Sequence, residues 1–311
     1  MIKKIYKISN IKGMRLDKVS RILFNFTREK IKRFIKNRGL RLDGFPIKQN
    51  IKINEHQCIC LIHKHIFYFA EQVVEPEYFS LYKNYEDNKI LIVNKRQGLV
   101  VHPSKGNIKG TLLNELLSYN KTAFIKIPRA GLVHRIDKET SGLLIIAKKI
   151  VTYTKLKQKI QDKSIIREYD AIVIGQIDVG GYIKAQIGRH LINRKRNKIV
   201  NKDGKLAITY YRVIEKLYSH TYIRCWLETG RTHQIRVHME SIKHAVIGDE
   251  LYLKNKRFPT IKIRQALHAH CLFLQHPSKT IIIKTLAKKT KDITILLTVL
   301  RQNQIYTISH N

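Results

Sequence analysis

The chain has 311 residues, which is enough for two domains, and 43% of them are hydrophobic, which is enough to build a core in at least one. Its 60 Lys and Arg against 23 Asp and Glu give a formal net charge of +37, which points to a polyanionic partner, with nucleic acid favoured. No segment approaches the ~20 apolar residues of a membrane-spanning helix, the basic N-terminus leads into no apolar signal core, and the four cysteines lack disulfide-framework or zinc-site spacing. We therefore expect a cytoplasmic protein with no membrane partner.

Residues 1–70 are predicted to form a small domain with two helices. Apolar residues recur at helical spacing from Leu16 to Phe26, and Thr27 offers an N-cap for a second helix that Gly39 closes. The solvent face of this second helix is almost wholly basic. Its cations are Arg28, Lys30, Lys32, Arg33, Lys36 and Arg38. A charge run is usually only a solvated face, but acids that would neutralise this one are nearly absent, so the helix is suited to lie along a phosphate backbone.

A short strand-turn-strand follows over residues 40–47. Two short helices and a hairpin with one cationic face, together with the motif RLDK at residues 15–18, resemble the S4-type RNA-binding domain. The resemblance implies that this face contacts the RNA backbone and supplies salt-sensitive affinity with little sequence discrimination. The backbone-binding residues are expected to be Arg28, Lys32, Arg33 and Lys36. A polar stretch rich in Glu, Pro and Tyr, residues 71–88, is predicted to be a linker.

From residue 89 onward the pattern predicts strands with a few helices among them. Strands are predicted over residues 90–93, 98–103, 143–148, 167–175, 209–214, 221–228, 234–239 and 281–283. A helix capped by Thr111 is predicted to run through Leu117, and a second amphipathic helix over residues 153–160. The basic stretch 189–206 is predicted to be a loop or hairpin able to reach phosphates. Runs of strands with few helices indicate an α+β domain around a mixed or antiparallel sheet over residues 89–311.

One charged loop leads directly into an apolar run that begins at Leu143. Asp137 lies in this loop between Arg135 and Lys138, and turn residues follow it. The flanking cations favour the ionised carboxylate, which can act as a nucleophile, a general base or an anchor for a cation. An isolated Arg-x-Asp is more often an aspartate that caps a turn beside solvated charges, so a reactive role needs support from elsewhere in the chain.

Two later stretches supply that support. Gly230 permits a tight approach just before Arg231, which is placed on a turn at the start of a predicted strand. From there Arg231 could pair in a bidentate manner with Asp137, although a purely structural salt bridge fits equally well. Tyr169 lies on a predicted strand, where a tyrosine is usually part of the core, but a ring at the edge of a pocket can also stack on a nucleobase.

Motifs for metals and nucleotide cofactors are not found in the sequence. The histidines that invite a metal interpretation are His134, His233, His238, His268 and His270. None has the His-Glu-x-x-His spacing or a thiolate partner at ligand spacing, so we interpret them as structural. No phosphate-binding glycine loop, dinucleotide fingerprint or nucleophile elbow follows a strand. We therefore expect neither a metal nor a cofactor.

Three stretches in this order resemble the RluA-type pseudouridine synthases. They are residues 134–143 (HRIDKETSGL), 167–169 (REY) and 228–238 (ETGRTHQIRVH). Further agreement is found at residues 94–95, 98–103, 128–131, 246–249 and 265–269, so the resemblance covers nearly all of residues 89–300. Residues 100–103, 110–114 and 128–131 are most similar to the RluD subgroup. The chain departs from the family where Lys95-Arg96 replaces the usual Lys-Pro and where Leu253 replaces a glycine.

The resemblance implies an isomerase that converts uridine to pseudouridine in 23S ribosomal RNA, in the helix 69 stem-loop. Its partner is expected to be this RNA or a large-subunit precursor, and a monomer is expected. By resemblance Asp137 is the nucleophile, acting at the ribose anomeric carbon or on the base, and Arg231 pairs with it. Tyr169 would stack on the base and assist the final proton removal, while Arg135 would fill the gap left by the extruded nucleotide.

Two alternatives come from other functional classes. A non-catalytic RNA-binding or ribosome-assembly protein could keep the same scaffold, but the intact Asp137, Tyr169 and Arg231 argue against it. An aspartate-nucleophile hydrolase acting on nucleic acid is disfavoured because no metal-ligand motif accompanies the carboxylate.

Overall fold

The chain divides into two units, residues 1–73 and 74–311. The computed structural model describes residues 3–7, 13–24, 28–36, 39–48, 51–54, 56–62, 74–78, 80–104, 106–190, 192–193, 195–253 and 264–308. The linker predicted over residues 71–88 is wrong in its second half, because Lys83–Glu86 is a strand of the second unit's sheet. The Glu, Pro and Tyr content of residues 71–88 suggested a linker. Lys83–Glu86 can nevertheless form a strand because it lies at the edge of the sheet, where polar residues are tolerated on the exposed face.

The first unit combines two helices with a small antiparallel sheet. Its elements are β1 (Lys3–Lys7), α1 (Leu16–Phe24), α2 (Arg28–Lys36), β2 (Leu40–Leu42), β3 (Phe45–Pro46) and β4 (Cys58–Ile62). The strands lie in the order β1-β4-β2-β3. The helices bury Leu16, Val19, Ile31 and Phe34 against the sheet. The predicted helices and hairpin are confirmed, whereas the predicted cap Thr27 lies outside the described residues.

The second unit is built on one large mixed sheet. Its strands are β5 (Lys83–Glu86), β6 (Ile90–Lys95), β7 (Ser141–Ala147), β8 (Ile166–Ile174), β9 (Gly181–Arg189), β10 (Asn197–Ile199), β11 (Lys205–Leu217), β12 (His220–Leu227), β13 (Leu267–Gln275) and β14 (Ile282–Leu286). They lie in the order β10-β9-β11-β12-β8-β13-β7-β6-β5, with β14 paired to β13. Only the pair β13 and β7 is parallel among the described strands. The predicted mixed or antiparallel sheet is confirmed.

Among the described residues, four α-helices accompany this sheet: α3 (Leu112–Phe124), α4 (Ile150–Gln161), α5 (Gln234–Ser241) and α6 (Lys291–Ile308). The helix that Thr111 was predicted to cap and the helix predicted over residues 153–160 are confirmed, and the basic stretch 189–206 contains the predicted hairpin between β9 and β10. Across the parts of the chain that the structure describes, no helix is both long and apolar enough to cross a membrane.

The strand β7 fixes the position of the charged loop that precedes it. All seven of its residues are buried, which explains the uninterrupted apolar run; β6 pairs with residues 142–147 and β13 with Ser141 and Gly142. Gly142 has a φ of +112°, and a Cβ at this position would collide with the backbone of Ala269 on β13. Glycine therefore allows β7 and β13 to meet in parallel, and the loop that carries Asp137 leads into the sheet at this junction.

Two predicted strands are wrong. Residues 98–103 form an irregular segment with a single bridge between Val100 and Thr111. Residues 234–239, where Ile235, Val237 and Met239 suggested a strand, begin the helix α5. Every residue from Gln234 to Met239 is buried, because the polar ones have partners inside the protein. A helix buried on all sides lacks the one-sided pattern from which helices are recognised.

Four histidines of the second unit are held neutral by their surroundings: three are buried, and His102 is half-buried. Burial lowers the pKa of His102, His238 and His268 to about 4 and that of His134 to about 3. Between these values and about 6.5, an unfolded histidine binds a proton that the folded one does not. Each histidine therefore contributes stability that is complete above pH 6.5 and is lost as the pH falls toward 4.

The free energy of unfolding should accordingly decrease as the pH is lowered from about 6.5 to 4, by up to about 1.4 kcal/mol per pH unit for each of these histidines. His238→Asn keeps a nitrogen or oxygen near Thr209 Oγ1, which lies 2.9 Å from His238 Nδ1, and removes one titrating group. Urea unfolding between pH 4.5 and 8 should show a shallower acid slope in this variant. His190→Asn, at a partly exposed site, is the matched control, and equal slopes in wild type and His238→Asn would contradict the prediction.

Candidate active site

Four adjacent strands, β12, β8, β13 and β7, end around one cleft. Asp137 comes from the loop before β7, Tyr169 from β8, and the turn after β12 leads into α5 on the far side. The cleft has a volume of about 70 Å³, and Arg135, Asp137, Tyr169 and Arg231 all line it. The structure therefore brings together all four cleft residues that the sequence singled out.

Asp137 is braced by an arginine, but not by the predicted one. Arg236 Nη1 donates a hydrogen bond to Asp137 Oδ2 at 2.9 Å. Arg231 is exposed, and its Nε donates to the carbonyl oxygen of Leu206 at 3.0 Å. The predicted pair of Arg231 with Asp137 is therefore wrong, because the segment enters a helix after the turn and its first turn carries Arg236 toward the carboxylate.

Arg236 is itself clamped by a second carboxylate. Its Nε and Nη2 donate to Asp249 Oδ2 and Oδ1 at 2.5 and 2.9 Å, a bidentate arrangement that fixes the guanidinium plane. Asp249 Oδ1 also accepts hydrogen bonds from the backbone N–H groups of Leu251 and Tyr252. Burial opposes the charge of Arg236, but Asp249 and Asp137 together raise its pKa. The guanidinium is thus a fixed cation that orients Asp137.

His233 and Tyr252 complete this side of the cleft. His233 Nε2 lies 3.9 Å from Asp137 Oδ2, and its Nδ1 is 3.0 Å from the Tyr252 hydroxyl. Burial lowers the pKa of His233, more than the opposing charge of Asp137 raises it, so the imidazole is neutral at pH 7. The guanidinium carbon of Arg236 lies 5.0 Å from the Tyr252 ring centroid, a cation–π contact.

The turn before α5 is held by Gln234. Its Oε1 accepts hydrogen bonds from the Thr229 hydroxyl and the Arg231 N–H, at 2.7 and 2.9 Å, and its Nε2 donates to the carbonyl oxygen of Ile208. The left-handed conformation of His233, with a φ of 59°, ends the turn and starts the helix. These partly buried hydrogen bonds therefore set the position of Arg236 relative to the sheet.

A buried lysine anchors the loop of Asp137 from the other side. Lys95 Nζ donates to the carbonyl oxygens of Leu99, Arg96 and Lys138, at 2.8, 2.9 and 3.0 Å. Burial lowers the pKa of Lys95 to about 7, against the opposing charges of Glu139 and Asp137. The residue after Asp137 is thereby tied to β6. Arg96, which replaces the usual proline, forms an ion pair with the buried Glu115 at 3.0 Å.

Tyr169 and Arg135 differ in their exposure to solvent. Tyr169 is only 5% exposed. Burial raises its pKa further above neutrality, so its phenol is uncharged at pH 7. A neutral ring suits stacking on a base, whereas proton abstraction would require the disfavoured phenolate. Arg135 is exposed at the rim of the cleft.

The sequence interpretation missed Arg236, Asp249, Lys95 and Tyr252. The available signal was the polar alternation of Gln234, Arg236 and His238 within an apolar segment, since buried polar side chains must find partners. The five histidines that invited a metal interpretation each have a hydrogen-bond partner. Across the described part of the chain, no three metal-ligating side chains converge. The cleft thus presents an oriented carboxylate, a neutral phenol and a surrounding set of cations.

Comparison with known proteins identifies the family to which the chain belongs. The profile of the family described as RNA pseudouridylate synthase matches residues 89–241. Ribosomal large subunit pseudouridine synthase D of Pseudomonas aeruginosa is 40% identical over 308 residues, covering 94% of this chain and 93% of that protein. The protein of the same name from Buchnera aphidicola subsp. Baizongia pistaciae is 40% identical over 320 residues, covering 97% and 98%.

A solved structure shares the fold. The structure of human RNA Pseudouridylate Synthase Domain Containing 4 aligns with a TM-score of 0.56 and 20% identity, over 71% of this chain and 93% of that one. Three findings agree with the resemblance carried by the three motifs: the fold, the match to the family profile, and 40% sequence identity over nearly the whole chain. The chain is therefore a pseudouridine synthase, and it belongs to the RluD subgroup of the RluA-type family.

Proposed function

We propose that this protein isomerises specific uridines of 23S ribosomal RNA, in the helix 69 stem-loop, with Asp137 as the nucleophile. The observation that carries the proposal is the hydrogen bond of 2.9 Å from Arg236 to Asp137 Oδ2, on the wall of a cleft that Tyr169 also lines. An ionised and oriented carboxylate is the group that this reaction requires. The relatives named for the ribosomal large subunit support the choice of RNA.

In the reaction, the bond between N1 of the base and C1′ of the ribose breaks, the base turns, and a bond forms between C5 and C1′. The hydrogen on C5 leaves as a proton and N1 gains one, so the product is an isomer of the substrate. Asp137 attacks either C1′ or the base and is released when the new bond is complete. Arg236 holds the Asp137 carboxylate in place. The contact of Arg236 with Asp249 keeps the guanidinium fixed when Asp137 bonds to the substrate and loses its charge.

The target nucleotide must leave its stack before a carboxylate can reach it. Arg135 is exposed beside Asp137, and we propose that it occupies the space vacated in the RNA. Tyr169 then stacks on the uracil, and Arg231, exposed at the rim, contacts the RNA. We also propose that the protein is a cytoplasmic monomer that acts on free RNA or on a large-subunit precursor.

Carbodiimide treatment followed by primer extension tests the proposal directly. Large-subunit RNA lacking pseudouridine in helix 69 is incubated with the purified protein or without it, and the modified positions are mapped. Stops within helix 69 that depend on the protein are expected. Stops only at other uridines would contradict the helix 69 target, and no stops at all would contradict 23S ribosomal RNA as the substrate.

The basic face of α2 is proposed to bind the RNA backbone through Arg28, Lys32, Arg33 and Lys36. Lys32 and Lys36 are exposed, while the side chains of Arg28 and Arg33 lie outside the described part. Replacing Lys32 and Lys36 together by Gln should weaken RNA binding and reduce the slope of log affinity against log salt by about 1.4 to 1.8, since each phosphate contact contributes about 0.7 to 0.9.

The matched control is Lys121→Gln combined with Lys155→Gln, which removes the same charge from exposed positions on α3 and α4 of the second unit. Filter binding over a range of salt concentrations measures both slopes. A double variant of Lys32 and Lys36 with the wild-type slope would remove this face from the RNA contact.

A further inference from the structure

The sheet carries aromatic side chains that are exposed or half-buried on the face opposite Tyr169. Tyr182, Tyr210 and Trp226 are cross-strand neighbours on β9, β11 and β12, and we call them the aromatic ladder. Trp226 and Tyr210 have ring centroids 5.2 Å apart and planes 7° apart, and Tyr182 follows at 5.9 Å. Trp226 is 36% exposed and Tyr182 is 65% exposed. Large aromatic surface is usually buried, so an exposed row of it indicates a binding surface.

A groove of about 580 Å³ flanks the ladder and is lined by Trp226, Tyr210, Lys163 and Arg212. Leu227, the last residue of β12, lines both this groove and the Asp137 cleft. On β8, Arg167 lines the cleft while its neighbours Ile166 and Glu168 line the groove. A strand of nucleic acid leaving the cleft across the ends of β8 and β12 would therefore reach Trp226.

The charges around the ladder favour a polyanion. Glu228 forms an ion pair with Lys163 and accepts a hydrogen bond from the Tyr210 hydroxyl. The groove's other acid is Glu168. Arg212 is exposed and has no carboxylate partner within the described ranges. Two more exposed lysines border the region, Lys184 two residues after Tyr182 and Lys284 beside Arg212 in the adjoining groove. Four cations against two acids, interleaved with aromatic rings, suit phosphates and bases together.

We propose that the aromatic ladder and its groove bind a single-stranded part of the RNA substrate that flanks the modified nucleotide, with bases stacking on Trp226. This inference rests on the proposed function, because it takes RNA as the substrate. Stacking on aromatic rings tolerates any base, so the ladder contributes affinity and holds the flanking strand rather than reading its sequence.

Trp226 is the only tryptophan of the chain, so its fluorescence reports on the ladder directly. The full-length protein is titrated with an oligouridylate of about a dozen nucleotides. Saturable quenching is expected, and it should be equal in the Asp137→Asn variant, since the ladder lies on the other face of the sheet. Heparin, a polyanion without bases, should bind without comparable quenching. Oligouridylate that binds without changing the emission, or heparin that quenches it equally, would overturn the proposal.

Substitution provides the second measurement. Trp226→Ala should weaken oligouridylate binding by about 5- to 100-fold, the cost of one lost stacking contact, and Trp226→Phe should restore most of it. Tyr218→Ala, at an exposed tyrosine outside the ladder, should bind like wild type. Wild-type affinity in Trp226→Ala would overturn the ladder as an RNA contact even if the protein still forms pseudouridine. Failure of the proposed function would be recognised separately, by the lack of pseudouridine in large-subunit RNA with the wild-type protein.

Discussion

Asp137→Asn should abolish pseudouridine formation, by at least about 10³-fold, while the affinity for RNA stays within a few-fold of wild type. The amide has nearly the shape of the carboxylate and still offers an oxygen to Arg236, whose Nη1 donates to Asp137 Oδ2 at 2.9 Å. It lacks the negative charge that makes the oxygen a nucleophile. The fold and the cationic surface do not change, so binding persists without turnover.

Release of tritium from RNA labelled at C5 of uridine measures the turnover, and filter binding measures the affinity. Asp162→Asn, which makes the same chemical change at an exposed carboxylate, should retain wild-type activity. Turnover near wild type in Asp137→Asn would refute the nucleophile assignment. A parallel loss of binding would instead indicate that the substitution disturbs the cleft.

Arg236→Met should lower both activity and stability. Asp249 would remain buried with its guanidinium partner removed, a situation that typically costs about 3 to 5 kcal/mol. Asp137 would lose the donor that orients it, so we expect the rate to fall by about 10² or more. Adding Asp249→Asn should restore part of the unfolding free energy, because an unpaired buried charge is removed, without restoring the rate.

Arg231→Met is the informative comparison for this prediction. Arg231 is exposed and donates to the Leu206 carbonyl oxygen, so its loss should affect RNA binding more than the rate at saturating RNA. Single-turnover rates of the two variants at saturating RNA, together with urea unfolding, separate the two roles. Equal losses of rate in Arg231→Met and Arg236→Met would contradict this assignment and would support the predicted pairing of Arg231 with Asp137.

The motifs predicted the family and most of the cleft because their signals are local. Residues 143–147 are apolar without interruption and too few for a typical helix, which predicts a buried strand in any tertiary context. A charged loop that runs into such a strand must present its side chains at the end of the sheet. The same reasoning applies to Tyr169 on β8, where strand alternation places it on the cleft side and Glu168 on the other face.

By itself, the sequence predicted a mixed or antiparallel sheet, placed the Asp137 loop and Tyr169 at the cleft, and through its motifs indicated the family. Only the tertiary structure decided which arginine braces Asp137, since Arg231 and Arg236 belong to one motif and are five residues apart. The pattern of Ile235, Val237 and Met239 fits a strand, but the internal partners of Gln234, Arg236 and His238 allow a helix to be buried on every side. Those partners, Thr209, Asp137 and Asp249, are distant in sequence, so no local pattern could identify them.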